Sequence, residues 1–218
     1  MDFEDVLKRR RSVRKFTDQQ VRQETIVQIM NEARLTPTWA NAQETRIYVA
    51  SKNTAKMIRK EYEEASARGL GLSDYSFTAK ENWSDREKKA MKGFEKEIDH
   101  YMEESGISAA DFFAGQNCLF NAPCMVFLTL PKDAATWSKS DLGAYEMMIL
   151  MCAANKGVDS IVAQAFVKFP DIIRKHLPIS EDEDIIIGIG LGYEDEEDKI
   201  NRFRSSRKSL TTTFMLKE

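Results

Sequence analysis

The chain has 218 residues, a formal charge of -3, and is 42% hydrophobic and 31% charged, which suits one large domain with a packed core and a hydrated surface. No apolar run approaches the ~20 residues of a membrane span, and the first twenty residues are charged and amphipathic without the apolar centre of a signal sequence, so a cytoplasmic protein with no membrane partner is expected. Three unpaired cysteines (Cys118, Cys124, Cys152) read as buried free thiols, two distant histidines (His100, His176) argue against a metal site or a Ser-His-Asp triad, and the mild acidity argues against a nucleic-acid partner.

In chain order, Asp2 is placed to cap a short helix on which Phe3, Val6 and Leu7 share one face, followed by an extended exit over residues 12–16. This stretch contains Lys8-Arg9-Arg10-Arg11-Ser12-Val13-Arg14-Lys15-Phe16. A helix dipole explains one or two cations at a helix end, not a cluster of this density. A second helix over residues 23–35 places Ile26, Ile29, Met30 and Ala33 at helical spacing and stops at Thr36-Pro37, where the loop Pro37-Thr38-Trp39-Ala40-Asn41-Ala42-Gln43 begins. Residues 46–50 read as a strand and 54–65 as a helix with Ile58 and Tyr62 one turn apart, broken by Gly69-Leu70-Gly71-Leu72.

Ser84 with Glu87 predicts a capping box for a long helix bearing Met91, Phe94, Ile98 and Tyr101 on one stripe, and Ser108 with Asp111 repeats the signal. Phe112, Phe113 and Phe120 read as core. After Pro123 the apolar run 124–130 predicts a buried strand, and residues 141–156 a methionine-rich buried helix ended by Gly157. Two more strands are expected at 160–163 and 185–191. Within the last, Gly188-Ile189-Gly190-Leu191-Gly192 lacks the G-x-G-x-x-G spacing of a dinucleotide site and precedes an acidic run where a helix should start, so these glycines belong to a strand and its exit. The acidic runs 181–184 and 194–198 are expected on solvated surface. The tail 209–214, with three threonines, has strand propensity but no hairpin partner in front of it. Strands separated by helices without strict alternation give an α+β class, helices covering a central sheet, in a single domain over residues 1–218.

A second basic cluster, Ile200-Asn201-Arg202-Phe203-Arg204-Ser205-Ser206-Arg207, closes the chain. Guanidinium forks are planar, permanently charged and bidentate, and a hydroxyl such as that of Ser12 adds a donor, so a phosphorylated ligand is expected where the two ends meet. If the closing segment is extended, its alternating side chains prevent Arg202, Arg204 and Arg207 from all facing one ligand.

The string Arg10-Arg11-Ser12-Val13-Arg14-Lys15-Phe16 resembles the opening motif of the nitroreductase family, the 200–207 string its closing motif, and Pro37 to Gln43 the family's loop beside the flavin. Their order and spacing fit from end to end, with residues 69–116 matching least. The resemblance implies a homodimer with FMN at the subunit interface, a central mixed β-sheet flanked by helices, and a C-terminal segment exchanged between subunits. It implies that Arg10 and Ser12, with Arg207, hold the phosphate and ribityl end; Arg11 and Arg204 join the set, and Arg14 lies near the flavin's pyrimidine edge, where a cation favours charge arriving on reduction. Pro37, Thr38 and Trp39 would approach from the partner subunit, Asn41 and Gln43 would bond the polar rim, and the backbone of Gln164 and Ala165 would face N5. Gln43 is followed here by Glu44-Thr45 where the family commonly has Pro-Trp. The implied reaction passes hydride from NAD(P)H through N5 to a small electron-poor acceptor, a nitroaromatic or quinone, by a ping-pong course with no catalytic side chain. The alternatives are a specialised relative that dehalogenates, reduces an activated alkene or fragments the flavin, and a flavin-binding protein without turnover.

Overall fold

The computed structural model describes residues 1–69, 71–75 and 79–218; Leu70, in the expected helix break, lies outside them. Eleven helices and strands run α1 (Phe3–Arg9), α2 (Gln23–Ala33), β1 (Arg46–Ser51), α3 (Lys52–Arg68), α4 (Asp85–Ser105), α5 (Ala109–Ala114), β2 (Cys124–Pro131), α6 (Thr136–Asn155), β3 (Asp159–Val162), α7 (Pro170–His176) and β4 (Glu183–Gly192) among the described residues. The capping box forms as expected: Glu87 N–H donates to Ser84 Oγ while the Glu87 carboxylate accepts from the Ser84 N–H. Asp2 occupies the cap position of α1 without a side-chain bond.

The four strands form one sheet in the order β1-β2-β4-β3, each neighbouring pair antiparallel. The named strands thus form an antiparallel sheet where the resemblance implies a mixed one, and the parallel element is an isolated bridge between Ser12 and Ser160, which lays the first basic motif along β3. Strand β2 is buried on both faces, and the period of two divides its side chains between two apolar layers. Met125 and Phe127 join Tyr62 of α3 and Ile173 of α7 in one layer. Val126, Leu128 and Leu130 join Ile29 of α2 and Ile149 of α6 in the other.

The glycines of β4 serve close packing. A Cβ at Gly188 would lie 2.2 Å from the Cβ of Phe166, and one at Gly190 would lie 2.7 Å from Phe166 Cζ. Only hydrogen at these positions admits the Phe166 ring against the sheet, which explains the Gly-x-Gly pattern without a nucleotide.

Three further expectations are corrected. The acidic runs are not simply solvated: Glu183 is buried and joins Arg46, Tyr48 and Thr129, while Glu194, Asp195 and Asp198 pair with Arg11 and Lys15. Of the cysteines, all free, only Cys124 is buried. The tail forms a 3-10 turn over Leu210–Thr212 and no strand: threonine's preference for extended backbone needs a strand to pair with, and the tail pairs with none among the described residues. Helix α7 escaped sequence reading: seven residues show too little periodicity, although Pro170 marks its first turn.

Candidate flavin site between the chain ends

The segment after α1 is fixed by backbone bonds and two buried side chains. Val13 N–H donates to Ser160 O (3.0 Å), Phe16 N–H to Phe120 O (3.0 Å) and Thr17 N–H to Tyr193 O (2.9 Å). The side chains of Val13 and Phe16 fill the core. Beside them, Arg10, Arg11, Ser12 and Arg14 are left half-buried.

Arg9 lies outside this group: exposed, it donates to Gly157 O and pairs with Asp159 at 3.3 Å. Burial pushes the Asp159 carboxyl above its usual range, against an opposing bond from Glu194 N–H and the charge of Arg9. Arg10 makes no side-chain hydrogen bond or ion pair among the described residues. Arg11 pairs with Glu194, yet its Nη1 is buried with no partner. Arg14 stacks its guanidinium 5.1 Å from the ring centre of Phe203 and 6.0 Å from that of Phe112, and donates to Ser12 O (3.2 Å). Burial first, and then the charge of Arg204, hold the Arg14 guanidinium below its ordinary pKa. Arg204 donates to Asn201 O (2.6 Å) and Phe203 O (2.9 Å), and is lowered by burial and by Arg11. Three guanidiniums thus repel one another around one place, with one carboxylate, Glu194, against Arg11.

Arg207 is elsewhere. It donates to Ser205 Oγ (2.9 Å) and Ser206 O (2.9 Å), and its charge is felt by Glu97 of α4, whose carboxyl is held down first by two hydrogen bonds from Ser206. The structure therefore brings Arg204 to the cluster and leaves Arg207 outside it.

The loop of Pro37 to Gln43 is exposed but rigidly built. Ala40, Asn41 and Gln43 take positive φ values of 50°, 57° and 50°, a conformation costing non-glycine residues on the order of 1–3 kcal/mol each unless the surroundings impose it. The start of α6 imposes it here. Trp39 N–H donates to Asp141 Oδ2 (2.9 Å), the Trp39 and Trp137 rings lie 4.9 Å apart, and Ser138 bonds Glu44. Gln43 N–H donates to Thr38 Oγ1 (3.2 Å) and Gln43 Nε2 to Asn41 Oδ1 (2.8 Å). No described hydrogen bond or ring contact links this loop to the guanidinium cluster. Gln164 and Ala165 open the 3-10 turn Gln164–Val167, where N–H groups have no partner within the turn, and buried Phe166 pins that turn to Gly188 and Gly190.

The nitroreductase family model matches residues 7–193. The chain belongs to the nitroreductase family. Among its relatives in this family are a 4-nitrobenzoate reductase of Nocardioides sp. (strain LMS-CY), 27% identical over 95% of this chain and 87% of the relative, and a 4-nitrobenzoate reductase of Pseudomonas putida, 24% identical over 95% and 92%. The fold matches that of the FMN-dependent nitroreductase NfnB from Mycobacterium smegmatis in complex with NADPH, with a TM-score of 0.88 and 20% identity over 99% of this chain and 97% of that one.

Within this nitroreductase-family chain, sequence reasoning missed Glu194, Phe203 and Asn201 as parts of the site and Asp141 as the anchor of the loop. The acidic residues were hidden by their exposed-looking context. Asn201 stood inside the closing motif, and a buried amide there had no periodic signal to reveal it.

Proposed function

We propose that this chain is an FMN-dependent oxidoreductase that takes hydride from NAD(P)H and passes it to an electron-poor acceptor, a nitroaromatic or quinone, in the cytoplasm. The observation that carries this reading is the buried, unpartnered Nη1 of Arg11 within a group of guanidiniums that repel each other. Among the described residues, Glu194 is the one carboxylate paired with the group, which keeps a net positive charge. A phosphate or an electron-rich ring edge satisfies both the orphan donor and the excess charge, and FMN offers both in one molecule.

When bound, FMN supplies two-electron chemistry at its N5. The chain's part is binding and electrostatics. Arg10, Arg11 and Ser12, with Arg204, would hold the phosphate and ribityl end. Arg14 stands fixed between Phe112 and Phe203, where a cation favours negative charge developing at the ring. The open N–H groups of Gln164 and Ala165 present donors. Pro37, Thr38, Trp39, Asn41 and Gln43, unconnected to the cluster in their own chain, serve the partner subunit's site, which makes the enzyme a homodimer. The tail supports the same arrangement, because Leu210, Phe214, Met215 and Leu216 are 54–96% exposed and need a second subunit to cover them.

Acceptor and donor use one open face in turn, so the course is ping-pong. Anaerobic mixing with NADPH, then 4-nitrobenzoate, tests this: the flavin colour is expected to bleach and return, with parallel lines in steady-state plots. Intersecting lines would mean that donor and acceptor bind side by side, and an unbleached chromophore would leave only a flavin-binding protein.

A further inference from the structure

Asn201 is 2% exposed, and its side chain spends all its hydrogen-bonding capacity on the two chain ends. Its Oδ1 accepts from Arg14 N–H (2.7 Å) and Lys15 N–H (3.1 Å), and its Nδ2 donates to Lys15 O (2.7 Å) and Asp195 O (3.0 Å). An amide has two donors and two accepting lone pairs, so no other uncharged side chain of this length makes all four bonds. Its own carbonyl accepts from the Arg204 guanidinium at 2.6 Å. Two residues on, Phe203 lays its ring against the Arg14 guanidinium. Lys15 adds a tie outside the amide, reaching Asp198 at 2.7 Å, and Asp198 in turn caps the turn Lys199–Arg202 that carries Asn201.

We infer that Asn201 is a positioning residue for the flavin site: its side chain fixes the backbone of Arg14, its carbonyl fixes the guanidinium of Arg204, and the residue thereby sets the separation of two like charges. Left free, two guanidiniums move apart in water. Held by one buried residue, they keep a spacing that a single anionic ligand bridges. A staple that merely joined the chain ends would not require the same residue to hold the backbone of one arginine and the guanidinium of the other. The inference rests on the reading of this cluster as the FMN site.

The test is a binding cycle on the full-length protein. Apoprotein is titrated with FMN for Asn201→Asp, which keeps the shape but loses both donors, and for Asn201→Gln, which keeps the chemistry but shifts it by a methylene. Each is made in the wild-type background and in one lacking both Arg14 and Arg204 as alanines. FMN dissociation constants are expected to rise on the order of tenfold in the wild-type background, the scale of a lost neutral hydrogen bond passed on to the placing of the cations, and to change little when the guanidiniums are gone. The flavin midpoint potential in Asn201→Gln is expected to fall, as in Arg14→Ala. Ser206→Ala, which removes the hydroxyl bond of the same arm to Glu97 and keeps the backbone N–H bond, is expected to leave FMN affinity unchanged. If Asn201→Asp does not fold, Asn201→Gln carries the cycle. Equal losses in both backgrounds would overturn the positioning role and leave a staple. Wild-type protein that does not bind FMN would instead overturn the flavin reading itself.

Discussion

Replacing Gly188 with alanine puts a methyl carbon 2.2 Å from the Cβ of Phe166. Carbon atoms in contact settle at ~3.5–4.0 Å, so the two backbones must separate by more than about 1 Å. The colliding atom is a Cβ and not the flexible end of a side chain, so rotamer change gives no relief. Neither side has room: β4 is held between β2 and β3, and Phe166 is fully buried. Overpacking of this kind costs typically ~1–3 kcal/mol, and in a chain of this size each kcal/mol lowers the melting temperature by roughly 2–4 °C. The apoprotein melting temperature is therefore expected to fall by about 2–12 °C. Because Phe166 anchors the turn that begins at Gln164 and Ala165, FMN affinity should fall with it. Calorimetry and FMN titration of Gly188→Ala, with and without Phe166→Ala, provide the assay. The second substitution leaves the Cβ but removes the ring, so it should not rescue Gly188→Ala, whereas it should relieve Gly190→Ala, whose clash is with Phe166 Cζ at 2.7 Å. Wild-type melting and affinity in Gly188→Ala would refute the packing argument.

Arg10→Ala and Arg204→Ala should each weaken FMN binding by about 1.5–3 kcal/mol, and by more than Arg207→Ala or Lys208→Ala; equal losses at all positions in a fluorescence titration would mean diffuse electrostatics. Burial pushes the Cys124 thiol up to about 12 from an ordinary 9.0. The unfolded thiol ionises first, so the unfolded state binds fewer protons above pH 9, and stability is expected to fall between pH 9 and 12; melting curves of Cys124→Ala should show a flatter slope over that range. Deleting residues 209–218 should loosen the dimer and the FMN site together, and light scattering with FMN titration would detect a well-folded monomer of full affinity, which contradicts the exchange of the tail.

Fold elements with strong local signals were legible in the sequence. The Ser84-Glu87 box, the apolar run of β2 and the stops at Thr36-Pro37 and Gly157 each state a local preference that the structure obeys. What the sequence hid depends on partners distant along the chain. Glu183 reads as surface until β4 pairs with β2, where Thr129, opposite Ile185, reaches across to donate its hydroxyl to the Glu183 carboxylate. Positive φ at Ala40, Asn41 and Gln43 has no glycine to announce it, because α6, a hundred residues later, supplies the restraint. Alternation of the closing arginines presumes an extended segment, whereas Lys199–Arg202 forms a 3-10 turn, and bringing Arg204 to the cluster needed that turn. The charge density of the arginine-rich opening motif exceeds what a helix end explains, which is why it suggested an anion site from sequence.

The central claim, that the gathered guanidiniums hold FMN, is tested most directly by mass spectrometry of the chromophore released from the purified protein, with its ratio to chain measured. One FMN per chain is expected. FAD in its place, or no flavin after reconstitution, would contradict it.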